Sequence, residues 1–185
     1  MNSLTITLMR CFVAADIDND IKAKITSLQN QLGIPGIKLI EPQTLHFTLK
    51  FLGEIDEDTV SKVKESLGSL RDYETFEIDL RGVGAFPDAN YSRVVWIGAE
   101  KLLNLQNHVN ELLSSLFPKD RDVKPHLTIA RVKFLKDKKK IQEFLTKNSN
   151  IEIGSMTVKE VFLKKSVLTP NGPVYENLSF FKLKS

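Results

Sequence analysis

The sequence predicts a mixed domain, α/β or α+β in two layers. Three observations carry that prediction: apolar stripes at helical spacing, short segments of period two or continuous apolar character, and the interspersion of the two kinds without a dividing linker. At 185 residues the chain is only a little longer than an average domain, so one compact unit with a sizeable core is expected. Apolar residues make up 42% and charged residues 26%, ordinary globular usage that excludes wholesale disorder.

Residues 10–16 (RCFVAAD) read as a buried strand closed by acidic residues suited to capping a helix. From Asp18 the apolar residues Ile21, Ile25, Leu28 and Leu32 form a helical stripe that stops at Gly33, with Pro35 just beyond. Residues 45–52 read as the next strand. A second stripe, Val60, Val63, Leu67 and Leu70, predicts a helix. Period two then appears in Phe76, Ile78 and Leu80 alternating with Glu77, Asp79 and Arg81, and residues 94–97 are a continuous apolar run. A third stripe runs through Leu102, Leu105, Val109, Leu112 and Leu116. After a strand over 127–132, a weaker stripe at about 137–147 rests on Ile141, Phe144 and Leu145. Strands at 151–163 and 174–183 complete the order, with turns at 88–92 (DANYS) and 169–173 (TPNGP). Residues 1–8 (MNSLTITL) lack periodic continuity with the strand after them, so Met9 is expected to begin the fold and 1–8 to be an extension, leaving 9–185 as a single domain.

The lone Cys11 cannot form an internal disulfide, no apolar run is long enough to span a bilayer, and no secretory signal opens the chain, so a cytoplasmic protein is expected. A net charge of +3 tolerates anionic partners without demanding them. Lys133, Lys136, Lys138, Lys139 and Lys140 around Asp137 read either as a solvated loop and helix start or as a contact to an RNA backbone.

Two of the three histidines open the same phrase, His46-Phe47-Thr48-Leu49 and His126-Leu127-Thr128-Ile129. With average-like usage a histidine opens such a phrase by chance about once in a hundred, so the pair is an internal repeat. In a strand, residues i and i+2 share a face. Each imidazole therefore stands beside its threonine hydroxyl, while Phe47, Leu49, Leu127 and Ile129 face a core. Two such strands suit two similar lobes meeting across a cleft. A pair of imidazoles, each able to hold or accept a proton near neutrality, fits general acid-base catalysis, and threonine hydroxyls fit anionic oxygens. The substrate this predicts is a phosphodiester attacked in line between them. A metal site from His46, His126, Cys11 and His108 lacks ordered ligand spacing. His108 reads as a boundary residue of its helix. A faint RNA-recognition signature at 81–86 (RGVGAF) has Val83 where an aromatic would stack.

At these phrases the sequence resembles the 2H phosphoesterase superfamily, specifically the bacterial and archaeal RNA 2′,3′-cyclic phosphodiesterases also called 2′-5′ RNA ligases. The similarity extends through 9–14 (MRCFVA), 45–54 (LHFTLKFLGE), 82–87 (GVGAFP), 93–98 (RVVWIG), 125–131 (PHLTIAR) and 172–176 (GPVYE). The resemblance implies a duplicated, pseudo-twofold, bilobal α+β fold with two antiparallel sheets lining a central cleft and helices outside. It implies hydrolysis of RNA 2′,3′-cyclic phosphate ends to 2′-phosphates without metal or other cofactor, and in some members reversible 2′-5′ joining of tRNA halves. No membrane partner is implied, and a monomer is expected. Carried over by position, His46 is the proton donor, His126 the proton acceptor, and Thr48, Thr128 and Arg131 hold the phosphate. Phe51, five residues after His46 as Arg131 is after His126, is placed near the nucleobase. Strict alternation would point both away from the cleft, so a bulge or strand end after the motif is implied, the alternative being a core Phe51 and a surface Arg131. Lys50 has the parity of His46 and is a pocket candidate, as is Tyr175, for which a turn-flanking packing role is the alternative.

Overall fold

The computed structural model describes residues 7–134, 137–170 and 172–185. It is an α+β chain in which β1 (Met9–Asp16) leads to α1 (Asn19–Gln29), β2 (Ile37–Leu39), β3 (His46–Ile55) and α2 (Glu57–Leu67). After these come β4 (Phe76–Phe86), β5 (Val94–Gly98), α3 (Leu103–Leu112), β6 (His126–Val132), α4 (Lys138–Lys147), β7 (Glu152–Val158), β8 (Glu160–Thr169) and β9 (Gly172–Lys182). Lys136 of the basic run, Asn171 of the TPNGP turn and residues 1–6 of the extension lie outside the described residues.

The strands form one nine-stranded sheet in the order β7-β4-β5-β6-β3-β1-β8-β9, with β2 paired to β6. Every strand pairing within it is antiparallel. The two sheets implied by the resemblance are the two halves of this order; among the described residues their strands are joined by a single residue pair, Phe47↔Leu127, and an isolated parallel bridge, Glu74↔Lys184, links the segments before β4 and after β9. About that pair the halves repeat: β3 and β6 lie innermost, β1 and β5 beside them, β8 and β4 next, β9 and β7 outermost. Chain order repeats with them, β1-α1-β3-α2 matching β5-α3-β6-α4.

The helices are exchanged between the halves. α1 joins two strands of one half but packs on β6 and β7 of the other, and α3 reciprocates by packing on β3. Ile21, Ile25 and Leu28 of α1 and Leu105 and Val109 of α3 are buried there, as their stripes require. Asp56 and Asp137 cap α2 and α4 by accepting the Thr59 and Lys140 backbone N–H groups, whereas Asp18, suited by sequence to cap α1, makes no side-chain cap bond.

The structure departs from expectation in three places. Residues 151–163 are two strands: β7 pairs with β4 in one half, the ladder breaks at Lys159, and β8 crosses to pair with β1 in the other. β2 is an addition, since three residues are too few to show a period. The helix expected through Leu116 ends as regular α-helix at Leu112 and continues as turns.

Candidate active site

His46 and Thr48 start β3, and His126 and Thr128 start β6. Phe47 and Leu127, paired across the join, are fully buried on the helix side. Antiparallel register then sets His46 opposite Thr128 and Thr48 opposite His126 on the other face, so two imidazoles and two hydroxyls stand at the corners of one square. Ordinary sheet spacing puts the diagonal histidines about 7–8 Å apart, somewhat less at Cβ. All four residues line a cavity of about 1030 Å³ together with Arg131, Phe51 and Tyr175.

The bulges after the two phrases occupy the same place. On β3, Ala14 pairs with Thr48 and Val13 with Lys50, which leaves Leu49 as the extra residue. On β6, Trp96 pairs with Thr128 and Val95 with Ala130, which leaves Ile129 extra. Each bulge reverses the alternation, so Phe51 and Arg131 return to the cavity face. Phe51 is 69% exposed, which excludes a core role.

The same reversal corrects the placement of Lys50. It takes the core-facing slot that Ala130 takes in β6 and is only 2% exposed. Its Nζ donates to Asn110 Oδ1 (2.7 Å) and the Pro118 carbonyl (2.9 Å) and pairs with Asp120 at 3.1 Å. Lys50 therefore ties β3 to the segment after α3, and the cavity does not receive it. Tyr175 does line the cavity, with its ring edge-on to His46 at 5.1 Å. His108 packs half-buried on Tyr73, ring centroids 5.0 Å apart, at the boundary expected of it.

Each imidazole is oriented the same way. His46 Nδ1 lies 2.7 Å from the Thr44 carbonyl and His126 Nδ1 2.7 Å from the Lys124 carbonyl. A carbonyl only accepts, so Nδ1 carries the proton and donates, and the Nε2 lone pair of each neutral ring is left for substrate. Burial pushes the His46 imidazole below its ordinary value near 6.5; the bond to Thr44 opposes this, and Lys164, Asp16 and Arg131 act more weakly. Burial likewise lowers His126; its bond to Lys124 opposes, and the charges of Lys124 and Arg131 add to the lowering.

Aromatic rings fix both imidazoles. Phe12 packs 4.9 Å from His46, and Phe86 stands edge-on to His126 at 4.9 Å, with Trp96 behind it at 6.5 Å. The Trp96 indole lies where a Cβ on Gly84 would be, so the glycine of the RGVGAF segment serves close approach to the ring below His126. Lys124 Nζ sits 4.5 Å over that indole.

Sequence reasoning missed several residues. Arg10 and Phe12 line the cavity, and their alternation with the core residues Cys11 and Val13 was a readable signal. Lys38 lies on β2, which the sequence did not disclose. Two buried glutamines act behind the site: Gln29 of α1 donates Nε2 to the carbonyls of Ile129 (2.7 Å) and Ile40 (2.8 Å), and Gln106 of α3 donates to Thr48 O (3.3 Å). Each exchanged helix thus holds the backbone at the bulge of the histidine strand it covers. The available signal was a glutamine beside an otherwise apolar stripe.

Comparison with known proteins agrees with this geometry. The family model described as LigT like phosphoesterase matches residues 16–96 and 98–175, and each stretch contains one histidine phrase. The RNA 2′,3′-cyclic phosphodiesterase of Methanocaldococcus jannaschii is 45% identical over 171 residues, covering 91% of this chain and 97% of that protein. The protein of the same name from Methanothermobacter thermautotrophicus is 40% identical over 182 residues, covering 95% and 99%. Among solved structures, TT0787 of Thermus thermophilus superposes with a TM-score of 0.83 at 29% identity, covering 96% of this chain and 99% of that one. A duplicated fold, a histidine-threonine phrase in each half and relatives matched over nearly their whole length lead to one conclusion: the chain belongs to the LigT-like phosphoesterase family.

Proposed function

We infer that the protein hydrolyses RNA 2′,3′-cyclic phosphate ends to 2′-phosphates by paired-histidine acid-base catalysis. The observation that carries this reading is the register across Phe47↔Leu127, which puts His46 and His126 at opposite corners of one square with both Nε2 atoms free. The relatives' shared name supports the substrate class.

The cyclic phosphate sits between the rings, with its two non-bridging oxygens accepting hydrogen bonds from Thr48 and Thr128 and charge from Arg131. His126 Nε2 accepts a proton from a water as that oxygen bonds to phosphorus. The bond from phosphorus to the 3′-oxygen breaks in line, and His46 in its imidazolium form donates its Nε2 proton to that oxygen. The 2′-phosphate remains, and the two histidines exchange their proton difference with solvent. The bonds from Nδ1 to Thr44 and Lys124 hold each ring in the orientation both halves of this step need. Phe51, Phe12 and Tyr175 provide the apolar wall for the nucleobase and ribose. Among the described residues no helix is long and apolar enough to cross a membrane. The reading extends to a monomer in the cytoplasm, and to 2′-5′ joining of RNA ends such as tRNA halves when a ribose 5′-hydroxyl takes the place of water.

The test is incubation of an oligonucleotide ending in a 2′,3′-cyclic phosphate with the protein in excess chelator. A 2′-phosphate product is expected. A 3′-phosphate product, or activity that needs added zinc, contradicts the mechanism.

A further inference from the structure

The cavity holds more positive charge than one phosphodiester uses. Among the described residues Arg10, Lys38 and Arg131 line it against a single carboxylate, Glu41, whose Oε2 already accepts from Gln43 Nε2 at 2.9 Å. Among the described residues none of the three cations makes an ion pair. Their positions divide them. Arg131 lies on the strand of His126, turned to the cavity by the bulge at Ile129. Arg10 lies two residues from Phe12 on β1, and Phe12 packs on both His46 and Tyr175, ring centroids 4.9 and 5.0 Å apart, so Arg10 stands one step further along that wall. Lys38 pairs with Arg131 in the β2–β6 register, and its Nζ reaches across to Gly172 at the β8–β9 turn of the other half, where a Cβ would meet it at 3.3 Å. Arg10 and Lys38 are both exposed, as is Arg131.

A nucleoside whose cyclic phosphate lies between the histidines and whose ring and sugar lie along Phe12 and Tyr175 carries its next phosphate, on the 5′-oxygen, one nucleoside length away from the reacting phosphorus. Beyond Phe12 and Tyr175 along that wall come Arg10, two residues on along β1, and the β8–β9 turn that Lys38 reaches. We propose that Arg10 and Lys38 form a second phosphate subsite for the 5′-phosphate of the terminal nucleotide, so that the protein favours RNA chains over an isolated nucleoside cyclic phosphate. The proposal rests on the cyclic-phosphodiesterase reading of the central site. Arg10 offers the fork suited to two oxygens of one phosphate and Lys38 a point charge from the facing side.

The experiment measures kcat/KM, in chelator, for adenosine 2′,3′-cyclic phosphate, for the same compound with a 5′-phosphate, and for a dinucleotide ending in the cyclic phosphate. The wild type gains about tenfold from the 5′-phosphate, the worth of a charge-assisted hydrogen bond. A gain with the monoester alone assigns the subsite to a terminal phosphate and overturns the preference for chains; a gain with the dinucleotide as well supports it. In Arg10→Gln and Lys38→Gln the ratio of phosphorylated to unphosphorylated substrate falls toward one, while Arg10→Lys keeps part of it. The salt dependence of log(1/KM) on log salt, steeper by about 0.7 for the phosphorylated compound in the wild type, loses that difference in both glutamine variants. Equal ratios in wild type and variants overturn the subsite, because a general positive field would lower both rates alike. A wild type that hydrolyses none of the three compounds overturns the central reading instead.

Discussion

At the scale of single residues the two histidines stand apart from everything around them, because only they combine a fixed Nδ1 donor bond with an Nε2 open to the cavity. Replacing either by alanine lowers turnover by about 10² to 10⁴-fold with the melting temperature little changed, as expected for a general acid or base, and a loss below tenfold contradicts the assignment. Since burial lowers both imidazoles below 6.5, the free-enzyme profile of kcat/KM is a bell centred on the acid side of that value; a maximum on the alkaline side contradicts a site dominated by burial. Lys50 belongs to a different class. Its amine is paired with an Asp120 carboxylate that is 47% exposed, so solvent moderates the pair and Lys50→Ala costs about 1–3 kcal/mol, mostly from orphaning Asn110 and the Pro118 carbonyl. Thermal melts show this as a lower midpoint while turnover per folded molecule is retained.

At the scale of elements, the bulges at Leu49 and Ile129 decide which side chains face the cavity. They were legible only in part. Strict alternation places His46 and Thr48 correctly, but it sends Lys50 to the cavity and Phe51 and Arg131 away from it, because a local sequence carries no mark of an extra residue in a ladder. The same holds for the break at Lys159: both sides of it read as strand, and only the partner strands, remote in sequence, distinguish β7 from β8. By contrast, helices that bury one clear stripe were readable from their apolar spacing alone, since that spacing is local. The clamps on the bulges give a test at this scale. Gln29→Leu removes the donor to Ile129 and Ile40, so the Arg131 side of the site loosens. KM rises more than kcat falls, Gln29→Glu does not restore it, and a purely structural role would lower stability without moving that split. Gly84→Ala overlaps the Trp96 indole and destabilises by about 1–3 kcal/mol in a denaturant titration.

At the scale of the whole molecule, two half-sheets joined by one residue pair between their strands and one isolated bridge would be a weak assembly if each kept its own helix. The exchange of α1 and α3 prevents that, since each half's core contains a helix from the other. Unfolding is accordingly one transition: the fluorescence of Trp96, the single tryptophan, which reports one half, coincides with the far-ultraviolet circular dichroism of the whole chain. Two separated transitions would contradict the exchange. The duplication also explains why the site was legible before the fold was: the repeated phrase marks the strands that the pseudo-twofold axis brings side by side, so two short matches located the centre of the molecule.

The most direct test of the central claim, that two imidazoles act from opposite corners on one phosphorus, is the pH dependence of kcat/KM on a cyclic-phosphate-ended oligonucleotide in chelator for the wild type and for each single-histidine variant. The wild type gives a bell; His126→Ala loses the acid limb because the base is gone, and His46→Ala loses the alkaline limb because the acid is gone. A bell that keeps both limbs in either variant contradicts the account.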